Sequence, residues 1–232
     1  MFALAIKPKK WRDDNPAKGI ERNHEEKRER YLSDDELARL TKTLDAWPDQ
    51  TIANVVRLLL YTGARRGEVL SAEWKQFDLE KKTWTKPSAS TKQKTEHRVP
   101  LSDEALSLLS KMRAEAKSIS PYLFPSSSES GHLVEIKKGW AAICKAAELE
   151  DLRLHDLRHS FASILVAGGA SLPMIGALLG HTQVSTTQRY AHLDVDPLRE
   201  LVGKVGAVVS GAEEVAAETQ AKASAKVTKL RP

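Results

Sequence analysis

Apolar and polar positions along the chain change period several times, and each change marks an element. Ser33-Asp34-Asp35-Glu36 has the form of a capping box, which predicts a helix from there to about Trp47. Residues 51–61 (TIANVVRLLLY) are apolar on most sides and predict a buried helix that stops at Thr62-Gly63, with a second, short helix over 66–72. From Trp74 to Leu101 the pattern breaks into β-prone pieces, WKQFDL, KTWT and HRVPL, separated by polar, Pro-containing turns, so a small antiparallel sheet is expected. Helical spacing returns at 102–117, 135–147, 154–167 and 171–179, with a Ser-rich loop at 126–130. The fold class read from this pattern is α+β, mainly helical. Residues 1–30, rich in Lys, Arg, Glu and Asp, predict a linker or the remnant of something upstream. Residues 211–232, Ala-, Glu- and Lys-rich, predict a marginal helix or an unstructured tail.

Composition narrows the class. A chain of 232 residues that is 41% hydrophobic and 29% charged can bury a core and is not disordered throughout. No apolar run reaches the roughly 18 residues that a spanning helix needs. The opening FALAI is too short for a signal-peptide core and is followed by Lys7, Lys9 and Lys10, so a cytoplasmic protein is expected, with no membrane partner. The single cysteine, Cys144, excludes an internal disulfide and a cysteine zinc site, and is expected in the core. A net charge of +5 and a pI near 9.2 point to a polyanionic partner, because each cation placed on a phosphate releases counterions. Between Lys81 and Arg98 six Lys or Arg stand against the single Glu96, so one edge of the sheet is expected to be strongly positive.

Four places carry candidate chemistry. In His155-Asp156-Leu157-Arg158 the surrounding apolar residues repeat at helical spacing, which puts Arg158 and His155 side by side at the rim of the core. That position suits an anionic ligand; the plainer reading is a surface His and a snorkelling Arg. Thr62-Gly63-Ala64-Arg65-Arg66-Gly67-Glu68 sets a Gly hinge and cations at a helix junction, where Arg65 and Arg66 compete for one site and Glu68 is spaced to orient a guanidinium. Gly180 is a natural helix terminus, so His181 follows a fixed turn. Tyr190 lies in the polar run Thr186-Thr187-Gln188-Arg189, an unusual setting for a core tyrosine. A rival reading takes His155 and His159, spaced i, i+4, as a metal pair with His181 or His192 as third ligand.

Taken in order, Thr62-Gly-Ala-Arg65-Arg-Gly-Glu68-Val-Leu70, Thr91-Lys92 ahead of Val99-Pro100-Leu101, His155-Asp-Leu-Arg158-His, Leu179-Gly-His181 and Tyr190 resemble the complete signature of the tyrosine recombinases of the phage-integrase type. The resemblance runs from about Tyr31 to Leu193. It implies an integrase-type catalytic domain over 31–195, with a small antiparallel sheet and basic β-hairpin, followed at 196–232 by a C-terminal helix and tail.

By the same resemblance, the chain would be a site-specific DNA recombinase of a prophage or other mobile element. It would cleave and rejoin strands through a 3′-phosphotyrosyl intermediate, without metal, ATP or cofactor. Arg65 and Arg158 would clamp the scissile phosphate, with Glu68 supporting. His155 and His181 would hydrogen-bond it, His155 being also a candidate acceptor of the Tyr190 proton. Lys92 would protonate the leaving 5′ oxygen, while Arg66, Lys94 and Arg98 would touch neighbouring phosphates. Spacing alone does not separate Lys92 from Lys94. The implied partner is double-stranded DNA in the nucleoid, bound as a homo-tetramer, with residues 197–209 docking either on a neighbouring protomer or on their own domain. Family members carry a helical core-binding domain upstream. Roughly thirty residues precede the expected domain here, so a fragment or truncated integrase with weak, salt-dependent DNA binding is expected. The alternative is an inactive, integrase-derived accessory protein that only binds DNA.

Overall fold

The computed structural model describes residues 30–87, 96–116, 120–181 and 184–193. Helix α1 (Asp34–Ala46) starts at Ser33, whose hydroxyl accepts the Glu36 N–H while the Glu36 carboxylate accepts the Ser33 N–H, the reciprocal cap that the sequence predicts. Two further contacts pin this start: the Arg30 guanidinium forks onto Glu36, and the Leu32 N–H donates to Ser160 Oγ at 2.8 Å. Helix α2 (Gln50–Thr62) begins just before the apolar run because the Asp49 carboxylate accepts the Thr51 and Ile52 N–H groups. It ends at Gly63 with φ +59°, in the left-handed region, and a Cβ there would collide with Phe161 Cδ1. Helix α3 (Arg66–Leu70) stops short of the expected 72, where the Ala72 N–H tightens onto the Val69 carbonyl three residues back.

The sheet is antiparallel with order β1-β2-β3, from β1 (Phe77–Asp78), β2 (Thr83–Lys86) and β3 (His97–Pro100). Trp84 faces Phe77 on one side and Val99 on the other, and Lys86 faces His97. Two expectations change here. In WKQFDL only Phe77-Asp78 is strand: Trp74–Gln76 forms a 3₁₀ turn, held by Gln76 N–H on Glu73 O and Trp74 N–H on Pro121 O. Lys86 also does not belong to the positive edge, since the period-two alternation along β2 turns it inward beside Trp84.

Helix α4 (Asp103–Glu115) is capped by Ser102. Helix α5 (Lys137–Ala146) starts later than expected, with Ile136 at its N-cap, and the Glu135 carboxylate just before it accepts the Ile136 and Lys137 N–H groups. Helix α6 (Asp156–Ala167) also starts late, after a turn in which the Asp156 carboxylate accepts the Arg153 N–H. Helix α7 (Leu172–Leu179) ends on Gly180 at φ +67°. Helix α8 (Val184–Thr187) continues into a 3₁₀ segment, Gln188–Leu193, a helical stretch that its polar pattern does not announce.

Helix α6 joins two apolar clusters. Leu157 enters the main core with Leu40, Val56, Leu109, Ile143 and Trp84. Ala162 and Val166, farther along α6, pack with Ile175, Leu179 and Tyr190 in a smaller cluster. Cys144 is buried in the main core, and burial pushes its thiol up to about 11. Among the described residues no helix is long and apolar enough to cross a membrane. Residues 1–29, Thr91, Lys92, Lys94, the 197–209 segment and the 211–232 tail lie outside the described residues.

Candidate active site

The α2–α3 junction delivers the first cation. Arg65 precedes α3 in extended conformation, and its Nη1 donates to Glu68 Oε1 at 2.8 Å while its backbone N–H donates to Oε2 at 3.2 Å. Glu68 takes a third donor: Lys86 Nζ lies 2.8 Å from Oε2 in a nearly solvent-free contact. Burial by itself would raise the Glu68 carboxyl, but the Lys86 charge and hydrogen bond and the Arg65 donors outweigh it and hold the group at about 2. Burial lowers the Lys86 ammonium from its ordinary value, with Glu68 opposing and Arg158 and Arg65 adding to the effect. The two shifts pull the pair in opposite senses. The fully buried 2.8 Å contact is that of a charged pair at neutral pH. Arg66 turns the other way, onto Glu135 at 3.2 Å, and is half exposed.

The second cation comes from α6. Arg158 is only 4% exposed and lies inside the protein, not at the rim where helical spacing alone places it. Its Nη1 donates to Gly63 O and its Nη2 to Leu179 O, both at 2.7 Å, so two helix ends hold the guanidinium plane. Burial and the nearby Arg65 charge lower it to about 10, with Glu68 and Tyr190 opposing, which leaves it cationic at neutral pH. Nη2 also lies 3.0 Å from His181 Nε2, and His181 Nδ1 lies 2.9 Å from Thr187 Oγ1. Because a guanidinium only donates, this network assigns the neutral His181 proton to Nδ1, directed at Thr187.

The Tyr190 ring is buried in the smaller cluster, so its polar sequence neighbours mislead about its ring, which is 5% exposed. Its hydroxyl lies 2.7 Å from His159 Nδ1. His155, at the exposed N-terminal end of α6, stacks edge-on against His159 with ring centroids 5.0 Å apart. Arg65, His155, Arg158, His159, His181 and Tyr190 line one pocket of about 210 Å³ together with Thr186. A groove of about 610 Å³ shares Arg65 and His155 and continues past Arg66, Lys137 and Arg153. A larger hollow over α1, about 740 Å³, brings together no such set of donors.

Tyr190, Arg65, Arg158, His155, His181 and, behind Arg65, Glu68 are thus brought together. Arg66 is in the adjoining groove, and Arg98 stands exposed on β3, paired with Glu96 at 2.9 Å. The metal reading gains nothing: among the described residues no three His, Cys, Asp or Glu side chains could share an ion. Sequence reasoning missed three residues. His159 was considered only as a metal ligand, although its position beside Arg158 on α6 was available; Lys86 and Thr187 gave no signal, because their roles depend on partners from other elements.

Chemically, two guanidiniums and imidazoles around a phenol can hold a tetrahedral oxyanion against an oxygen nucleophile. The pattern of the phage integrase family matches residues 30–196. The chain is 30% identical over 194 residues to the integrase of Salmonella phage P22, an alignment covering 78% of this chain and 48% of that one, so it spans about half of that relative's length. The XerA recombinase structure aligns with a TM-score of 0.62 at 28% identity, covering 78% of this chain and 66% of that one. The catalytic domain of bacteriophage HP1 integrase aligns with a TM-score of 0.59 at 26% identity, covering 75% of this chain and 93% of that domain.

Proposed function

The chain belongs to the phage integrase family, and from that premise we propose that it is the strand-cleaving and strand-joining unit of a site-specific DNA recombinase, with Tyr190 as nucleophile. The observation that carries this reading is the Tyr190 hydroxyl in one pocket with Arg65, Arg158 and three histidines. Tyr190 Oη attacks the phosphorus of a DNA strand, an O–P bond forms, and the bond to the 5′ oxygen breaks. The strand is left as a 3′-phosphotyrosyl ester with a free 5′ hydroxyl. Attack by another 5′ hydroxyl reverses the step, so the phosphodiester energy is conserved and ATP has no part.

Arg65 and Arg158 stabilise the charge on the non-bridging oxygens, which suits a planar fork better than a lysine and makes a metal unnecessary. His155 adds a hydrogen bond to the same group, and His181, whose Nε2 accepts from Arg158, steadies that guanidinium. His159 accepts the Tyr190 proton: its Nδ1 is already at hydrogen-bond distance from the hydroxyl, which favours it over His155. Lys92, by resemblance, supplies the proton to the 5′ oxygen. The groove past Arg66, Lys137 and Arg153 gives flanking phosphates a basic track from the pocket. The test is trapping on a nicked duplex built from the DNA flanking the gene, whose short cleaved end diffuses away. The chain should form an adduct that survives SDS, Tyr190→Phe should form none while keeping fold and DNA affinity, and His159→Phe should slow the adduct by about 10²-fold or more. An undiminished adduct from Tyr190→Phe would show that another group attacks, and no adduct from the wild-type chain would favour an accessory protein that only binds DNA.

A further inference from the structure

The reaction above gives Lys86 no role, yet burying a lysine is costly unless the charge is used. Lys86 is 2% exposed on β2, its Nζ is 2.8 Å from Glu68 Oε2, and the same ammonium lies 4.4 Å from the centroid of the Trp84 ring. Glu68 in turn holds Arg65 through the other oxygen, Oε1, at 2.8 Å. The three groups form a line, Lys86–Glu68–Arg65, with the lysine in the interior and the arginine at the pocket.

We infer that Lys86 is a positioning residue for strand cleavage: by meeting the Glu68 carboxylate from behind, it leaves the charge of Arg65 directed at the scissile phosphate. The inference rests on the recombinase reading of the pocket. With Lys86 the three side chains sum to one positive charge (two cations, one anion); without it Glu68 cancels Arg65 and the sum is zero. A carboxylate that only orients Arg65 would therefore weaken it as an electrophile, and the buried ammonium removes that cost while the orienting hydrogen bond stays. The same lysine sits at the last position of β2, opposite His97, whose Nε2 donates to Ala177 O at 2.7 Å and whose ring lies against Gly180. The strand pair that begins the basic hairpin is thus tied at one point to the helix ends on both sides of the pocket.

The experiment measures single-turnover adduct formation by the full chain on two nicked duplexes, one natural and one with a neutral methylphosphonate at the scissile position. Lys86→Met, similar in length and uncharged, should slow cleavage of natural DNA by about 10- to 100-fold while DNA affinity changes less than about 3-fold. On the methylphosphonate duplex, where less negative charge has to be met, the penalty should shrink by about 5-fold or more. The neutral pair Lys86→Met with Glu68→Gln should return natural-DNA cleavage to within about 5-fold of wild type, because Gln still accepts from Arg65 without cancelling it. An equal penalty on both duplexes would show a purely structural lysine and overturn the inference, as would an unchanged rate. If Lys86→Met fails to fold, the double variant decides: a loss there above about 10-fold overturns the inference. No adduct from the wild-type chain would overturn the recombinase reading and this inference together, whereas a wild-type adduct with an indifferent Lys86→Met overturns this one alone.

Discussion

Replacing Glu68 by Gln should remove about 2 kcal/mol of the acid sensitivity of this fold between about pH 5 and about pH 3. Glu68 is held at about 2 in the folded chain against an ordinary 4.5, a depressed carboxylate, so its stabilisation is present above the unfolded value and is lost as pH falls toward the folded one. The shift of about 2.5 pH units corresponds to about 3 kcal/mol at neutral pH, of which about 2 kcal/mol disappears between about pH 5 and about pH 3. Glu36, also held at about 2 through its Arg30 hydrogen bond, is present in both proteins and cancels in the difference. Urea unfolding followed by tryptophan fluorescence at the two pH values gives four free energies. The wild-type loss should exceed the Glu68→Gln loss by about 2 kcal/mol; equal losses would refute the assignment of this carboxylate as a strongly stabilised anion.

Other consequences are checked more quickly. Arg65→Ala should slow adduct formation by at least about 10²-fold, a loss near 3 kcal/mol of transition-state stabilisation, and Arg66→Ala by far less; the reverse order would shift the assignment by one residue. Gly63→Ala should cost about 2–5 kcal/mol in chemical unfolding, from a left-handed backbone with a side chain and from the Cβ driven into Phe161 and Leu179, and should reduce cleavage as Gly63 O leaves Arg158. For the general acid, sulfur in place of the bridging 5′ oxygen makes a far better leaving group: Lys92→Ala should regain nearly the wild-type rate on such DNA, whereas Lys94→Ala should keep a modest defect on both substrates. Rescue of Lys94→Ala instead would exchange the two roles.

Local chemistry in the sequence announced most elements but only some of their ends. The Ser33–Glu36 cap, the Gly63 and Gly180 stops and the antiparallel sheet follow from short-range rules that the structure keeps. Helices α5 and α6 begin late because Glu135 and Asp156 spend their carboxylates on backbone N–H groups, and helical periodicity does not register that competition. Site residues were legible where spacing on one helix, or an ordered signature, names them. The burial of Arg158 was not, because the carbonyls that receive it belong to Gly63 and Leu179, far along the chain. Lys86 was misread for a similar reason: charge counting puts a lysine outside, and only Glu68 arriving from α3 makes an interior place tolerable.

The cluster that holds Tyr190 is small, with Ala162, Val166, Ile175 and Leu179 as its other buried members, and it is joined to the main core through α6. The proposed nucleophile is therefore borne on a patch with few buried apolar partners, the kind of region whose local opening costs less than unfolding of the whole. Peeling that patch away would withdraw the phenol from His159 and take the Leu179 carbonyl from Arg158, leaving the guanidinium its hold on the Gly63 carbonyl of the main body. Were that patch mostly unseated, a ligand or neighbouring surface that favoured the seated form by about 1.4 kcal/mol would raise the fraction with phenol and clamp assembled about tenfold, with the main core left as it is.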